Sequence, residues 1–130
     1  ELIRFPTDPQ TNDWWFDLSS DGTRIAATRS AANPIVIYSL RGQPPRQIQV
    51  KKWTNLLTFA WASDGNGLFA VAGTKSGRVV LHVNLEGNSH ALWEHTGGSA
   101  ETLAAPSPNG RLLAMQGWTN SANMWMVENF

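Results

Sequence analysis

His82, His90 and His95 are the only imidazoles in the chain, and there is no cysteine beside them. A metal centre here would have to be built on these nitrogens with carboxylates. Read along the chain, no two of the three stand at a spacing that places both on one face as a ligand pair. His90 and His95 are five apart, so strand alternation sends them to opposite faces. No metal site is expected. Serines are abundant, but no Gly-x-Ser-x-Gly elbow occurs, and the serines of the Ser-Asp-Gly sequences belong to turns. Gly73-Thr74-Lys75-Ser76-Gly77 superficially resembles a phosphate loop. It lacks the Gly-x-x-x-x-Gly-Lys spacing and no helix follows to add its dipole, so it reads as a loop between two strands. Neither a catalytic residue nor a cofactor is expected, and the chain reads as a non-enzyme.

The bulk properties narrow the partners. Ten Lys and Arg balance ten Asp and Glu, so no net field draws in nucleic acid or an anionic membrane surface, and neither is expected as a partner. The apolar runs are a few residues long, far short of the roughly 20 that span a bilayer as a helix. The chain is therefore expected to be soluble. Absence of cysteine suits oxidising and reducing compartments equally, which leaves localisation open. A length of 130 residues suits one modest domain, residues 1–130. The start at Glu1, with Pro6 and Pro9 soon after, reads as a processed or excised product without a targeting signal.

Whatever binds must be positioned by a repeat. Ile25-Ala26, Phe69-Ala70 and Leu113-Ala114 recur at 44-residue intervals, each after a turn sequence: Ser20-Asp21-Gly22, Ser63-Asp64-Gly65 and Pro108-Asn109-Gly110. Asp-Gly and Asn-Gly tolerate the positive φ that tight hairpins need. Arg41-Gly42 and Glu86-Gly87 mark a second turn one residue further apart than that interval. No window shows a helical period. First strands are predicted at 15–19, 59–63 and 103–107, second strands at 24–28, 68–72 and 112–116, third strands at 35–40, 79–84 and 123–127, and fourth strands at 46–50 and 91–95. Four antiparallel strands in 40 to 45 residues is the size of a propeller blade. The expected fold is all-β: a β-propeller with three blades per chain, at about 14–50, 57–95, and 102–130 plus 2–5. An immunoglobulin-like sandwich is the alternative, but it has no reason to repeat a hairpin turn at this interval.

Ser19-Ser20-Asp21-Gly22, Ala62-Ser63-Asp64-Gly65 and Ser107-Pro108-Asn109-Gly110, each followed by an apolar strand, resemble the Ser-Pro-Asp-Gly turns of TolB-type, WD40-like (PD40) β-propeller repeats. The likeness runs from about Trp14 to Phe130. Only the third turn keeps the proline, and it has Asn109 in place of aspartate. The Trp-Asp ending of WD40 repeats is missing, so that family's hydrogen-bonded tetrad is not expected. Such repeats are found at the C-terminal ends of bacterial signalling proteins. The resemblance therefore implies a sensory or docking module of a bacterial regulator.

Two expectations follow from the blades. A third unit lacking its fourth strand would leave 123–127 as a bare edge, which invites aggregation. Leu2-Ile3-Arg4-Phe5 is suited to cover it. Three blades are fewer than the four to eight of a closed ring, and an eight-residue linker reaches at most about 28 Å. A homodimer exchanging this strand would give six blades around a two-fold axis. The alternative is a fragment whose other blades lie outside this sequence. The second expectation concerns the seven tryptophans. Trp15, Trp61, Trp93 and Trp125 fall in strands and fill space between blades, whereas Trp14, Trp53 and Trp118 lie in or beside loops. Loops entering first strands share a rim with loops joining second to third strands, so Arg29, Lys51, Lys52, Trp53, Lys75 and Trp118 are expected to form one aromatic and basic binding face. A protein or peptide partner is expected there, with a small ligand or carbohydrate on the tryptophans as the alternative.

Overall fold

The computed structural model describes residues 14–29, 32, 34–97 and 102–117. Within them there are ten strands and no helix: β1 Trp14–Leu18, β2 Arg24–Arg29, β3 Ile35–Ser39, β4 Arg46–Ile48, β5 Leu56–Trp61, β6 Gly67–Gly73, β7 Gly77–Asn84, β8 Ser89–Thr96, β9 Leu103–Pro106 and β10 Leu113–Gln116. They form three separate antiparallel sheets in chain order, β1-β2-β3-β4, β5-β6-β7-β8 and β9-β10. Ten of the strands expected from the sequence therefore form, with ends shifted by a few residues. The strand expected at 123–127 and the covering segment Leu2 to Phe5 lie outside the described residues.

The first hairpin of each sheet is built by one turn design. The amides of Gly22, Gly65 and Gly110 donate to the carbonyls of Ser19, Ala62 and Ser107 at 2.8, 2.9 and 2.9 Å. All three glycines have φ between +66 and +68, a left-handed conformation that costs glycine nothing. One side-chain oxygen then accepts the next free amide: Asp21 from Thr23, Asp64 from Asn66 and Asn109 from Arg111. The turn requires an acceptor oxygen and not a charge, which is why Asn109 stands in for aspartate.

The repeat is looser than a fixed 44-residue interval. Asp21, Asp64 and Asn109 stand 43 and 45 residues apart, and strand register follows the turn. Leu18 pairs with Ile25, Trp61 with Leu68 and Pro106 with Leu113. Leu68, rather than Phe69, is thus the counterpart of Ile25. A one-residue slip matters because it exchanges the two faces of a strand.

With that register the three sheets stack in one sense. Ala26, Ile35, Ile37 and Ile48 of the first sheet pack against Phe59, Trp61, Leu68, Ala70, Val79, Leu81 and Val83 of the second. The opposite face of the second sheet, with Val71, Val80 and Phe69, packs against Ala104 and Leu113 of the third. The second sheet is therefore apolar on both faces, which explains the unbroken run Leu68-Phe69-Ala70-Val71-Ala72. Along the seam between sheets, the free edges of the first strands are satisfied by their neighbours. Trp15 Nε1 donates to the Phe59 carbonyl at 2.7 Å, the Trp61 amide to Asp17 Oδ2 at 2.8 Å and Trp61 Nε1 to the Asp17 carbonyl at 3.1 Å. Thr58 and Ser63 hydroxyls donate to the Thr102 and Ser107 carbonyls at 3.2 and 2.5 Å.

Candidate functional site

An open cleft of about 440 Å³ lies at the start of β5 and the end of β6, lined by Lys52, Trp53, Thr54, Asn55, Gly73, Thr74 and Lys75. Two loops make it. The segment entering β5 carries Lys52 at φ +70, a conformation that lysine adopts rarely. It is tied to the loop between β6 and β7 by the Gly73 amide, which donates to the Asn55 carbonyl at 2.9 Å. The second loop is closed by the Thr74 amide on the Gly77 carbonyl and the Gly77 amide on Thr74 Oγ1, both at 3.0 Å. Trp53 is half-buried and packs on the main core, so its indole is a fixed wall. Lys52 and Lys75 are exposed, and neither Asp nor Glu lines the cleft. Two ammonium groups beside an aromatic plate and hydroxyls favour an anionic group carried on an extended or apolar segment.

Of the six rim residues expected from the sequence, Lys52, Trp53 and Lys75 line this cleft. Lys51 points elsewhere: its amide donates to the Gly87 carbonyl at 3.0 Å and its Nζ to Asn88 Oδ1 at 2.7 Å, on the turn joining β7 to β8. Gly87 allows this approach, because a Cβ there would collide with the Gln49 carbonyl. Arg29 ends β2 opposite Trp14 and does not line the cleft. Trp118 lies outside the described residues. Thr54, Asn55 and Thr74 were not singled out by sequence reasoning, although they adjoin Trp53 and Lys75 in the same loops.

The histidines are arranged differently from the sequence expectation. His82 of β7 and His90 of β8 are direct cross-strand partners. Their ring centres are 5.2 Å apart, with Phe69 edge-on to His82 at 5.3 Å. Spacing along a strand could not show this, since the pair is made by the hairpin between them. His95 is opposite Arg78, four residues from His82 on β7, so all three histidines share one face. The cause is a bulge at Leu92, between the pairs Val80–Trp93 and Leu81–Ala91, which resets the alternation. His95 stacks on Trp93, with ring centres 5.3 Å apart. Burial and then the neighbouring His90 hold the His82 pKa below its ordinary 6.5, with Asp64 opposing. No group of three or more His, Asp or Glu side chains converges as a metal cluster among the described residues.

No known family model matches the chain, and no curated protein matches it.

Proposed function

We propose that the three sheets are successive blades of a β-propeller, and that the chain is a non-catalytic scaffold whose cleft at Lys52, Trp53 and Lys75 holds an acidic segment of a protein or peptide partner. The stacking supports the blade reading: each sheet offers the same face to the one before it, and the backbones run closest where β1 meets β5 and β5 meets β9. A second cleft of about 480 Å³ along these strands draws its lining from all three sheets, with Asp17 and Ser20, Trp61 and Ser63, and Pro106 and Pro108. Strands converging on a shared channel is how blades meet around an axis. The observation that carries the function is the pair of lysines from two loops, beside a fixed indole and with no carboxylate among the lining residues. The resemblance of the turn sequences to TolB-type repeats supports a docking module of a bacterial regulator.

Tryptophan fluorescence titrated with a Glu-rich peptide tests the site. We expect saturable quenching that weakens as salt rises, and at least a tenfold loss of affinity in a Lys52→Glu, Lys75→Glu double variant. A response to oligosaccharides with none to the peptide would replace this reading with a carbohydrate binder stacked on Trp53.

The blade reading also leaves one face of the first sheet open. Phe16 and Leu18, on the face of the first sheet turned away from the second, are 63% and 52% exposed. This face is the counterpart of those that are covered in the second and third sheets. A second copy, offering the outer face of its own third sheet, would cover it as the neighbouring sheet does within the chain, giving a six-bladed homodimer. Sedimentation at micromolar concentration checks this: a dimer is expected, and a monodisperse monomer would end the idea.

A further inference from the structure

We propose that His82 and His90 form a two-point chelate for a divalent first-row transition cation such as Zn²⁺, Ni²⁺ or Cu²⁺, clamping β7 to β8 at the outer hairpin of the second sheet. The geometry fits. Two imidazoles on one tetrahedral ion, with metal–nitrogen bonds of about 2.0–2.1 Å, hold their ring centres about 5 Å apart. Here they are 5.2 Å apart, with planes inclined at 46°.

The rings are also free to bind. Neither makes a hydrogen bond among the described residues; the two rings meet each other, and His82 also meets the Phe69 ring. His82 lies over Gly67: a Cβ added there would stand 3.0 Å from Nε2, so the glycine leaves the room in which the ring sits. His90 is exposed, which opens the pair to solvent ions. With two protein ligands the other coordination positions fall to water. Such a site prefers imidazole-seeking ions in the order Cu²⁺ over Ni²⁺ and Zn²⁺, and discriminates against Mg²⁺ and Ca²⁺, which require oxygen.

Isothermal titration of the chain with ZnCl₂, and separately with NiCl₂ and MgCl₂, tests the proposal. Expected are one Zn²⁺ or Ni²⁺ per chain with submillimolar affinity, no Mg²⁺ response, and at least a tenfold loss in His90→Asn. His90 is exposed, so this variant keeps the fold, and unchanged far-ultraviolet circular dichroism would show it. His95→Asn removes an imidazole from the same face and is expected to leave the affinity unchanged. The proposal is overturned by absence of binding below millimolar Zn²⁺ and Ni²⁺, by His90→Asn binding as tightly as the parent, or by His95→Asn losing as much as His90→Asn.

Discussion

Among the described residues, the two interfaces between sheets use the same pair of faces but are filled to different depths. Between the first and second sheets lies a continuous apolar layer, with Ile35, Leu56, Leu68, Val79, Leu81 and Val83 all fully buried. Between the second and third, the described residues that are buried include Val71, Val80 and Ala104, and around them sit half-buried Leu57, Phe69, Trp93 and Leu113. Towards β8 that second face ends in histidines. One sheet design thus packs in two ways: one interface is filled with aliphatic side chains, and the other gives way to imidazole and indole towards β8.

The largest expected break in this comparison is Leu81→Ala, which empties space in the fuller layer and should cost about 3 kcal/mol in urea unfolding. Leu113→Ala, at the half-buried boundary of the thinner layer, should cost only about 1 kcal/mol by the same measurement. Equal losses would show that the two interfaces are equally packed.

Next in size is the seam. Asp17 Oδ2 accepts the Trp61 amide, and Asp17→Ala leaves that β5 donor without its partner. A loss of about 1–2 kcal/mol is expected, with faster hydrogen exchange at Trp61 than at Ala70, which β5 and β7 flank.

The smallest effect separates the turns. Asp21 accepts from the Ser19 hydroxyl, the Thr23 amide and the Thr23 hydroxyl, which lower its pKa to about 2 from 3.8. A carboxylate held below its unfolded value stabilises the fold fully above pH 4 or so, and that contribution is lost as pH falls through about 2. Asp21→Asn keeps the acceptor, as Asn109 does in the third turn, but removes the charge. Its melting temperature should fall slightly below the parent's at pH 6 and converge with it at the acid end. A constant difference across that range would assign the effect to shape and not to charge.

Much of this architecture was legible in the sequence because it is local. Asp-Gly and Asn-Gly fix each first hairpin, and β-branched runs such as Val79-Val80 fix the strands beside them. Interval counting misled by one residue, since loop lengths before and after the second turn differ and only the turn sets register. Lys52, Trp53 and Lys75 could be grouped from loop positions alone. Lys51 could not, because its direction depends on the close approach that Gly87 permits. The histidine pair was hidden for a similar reason: a hairpin register and a bulge are properties of two strands, and neither is written in the spacing along one.

The sheets stack in chain order, seam beside seam, with Trp15 and Asp17 turned to the second sheet and Phe16 and Leu18 turned away. Nuclear Overhauser contacts in solution test this stacking most directly. Contacts are expected from the Trp15 indole to Phe59, from the Trp61 amide to Asp17 and from Thr58 to Thr102, with none from Phe16 or Leu18 to Leu68 or Leu81 of the same chain. Contacts from Phe16 or Leu18 into that second-sheet layer, or a first sheet lying directly against the third, would contradict it.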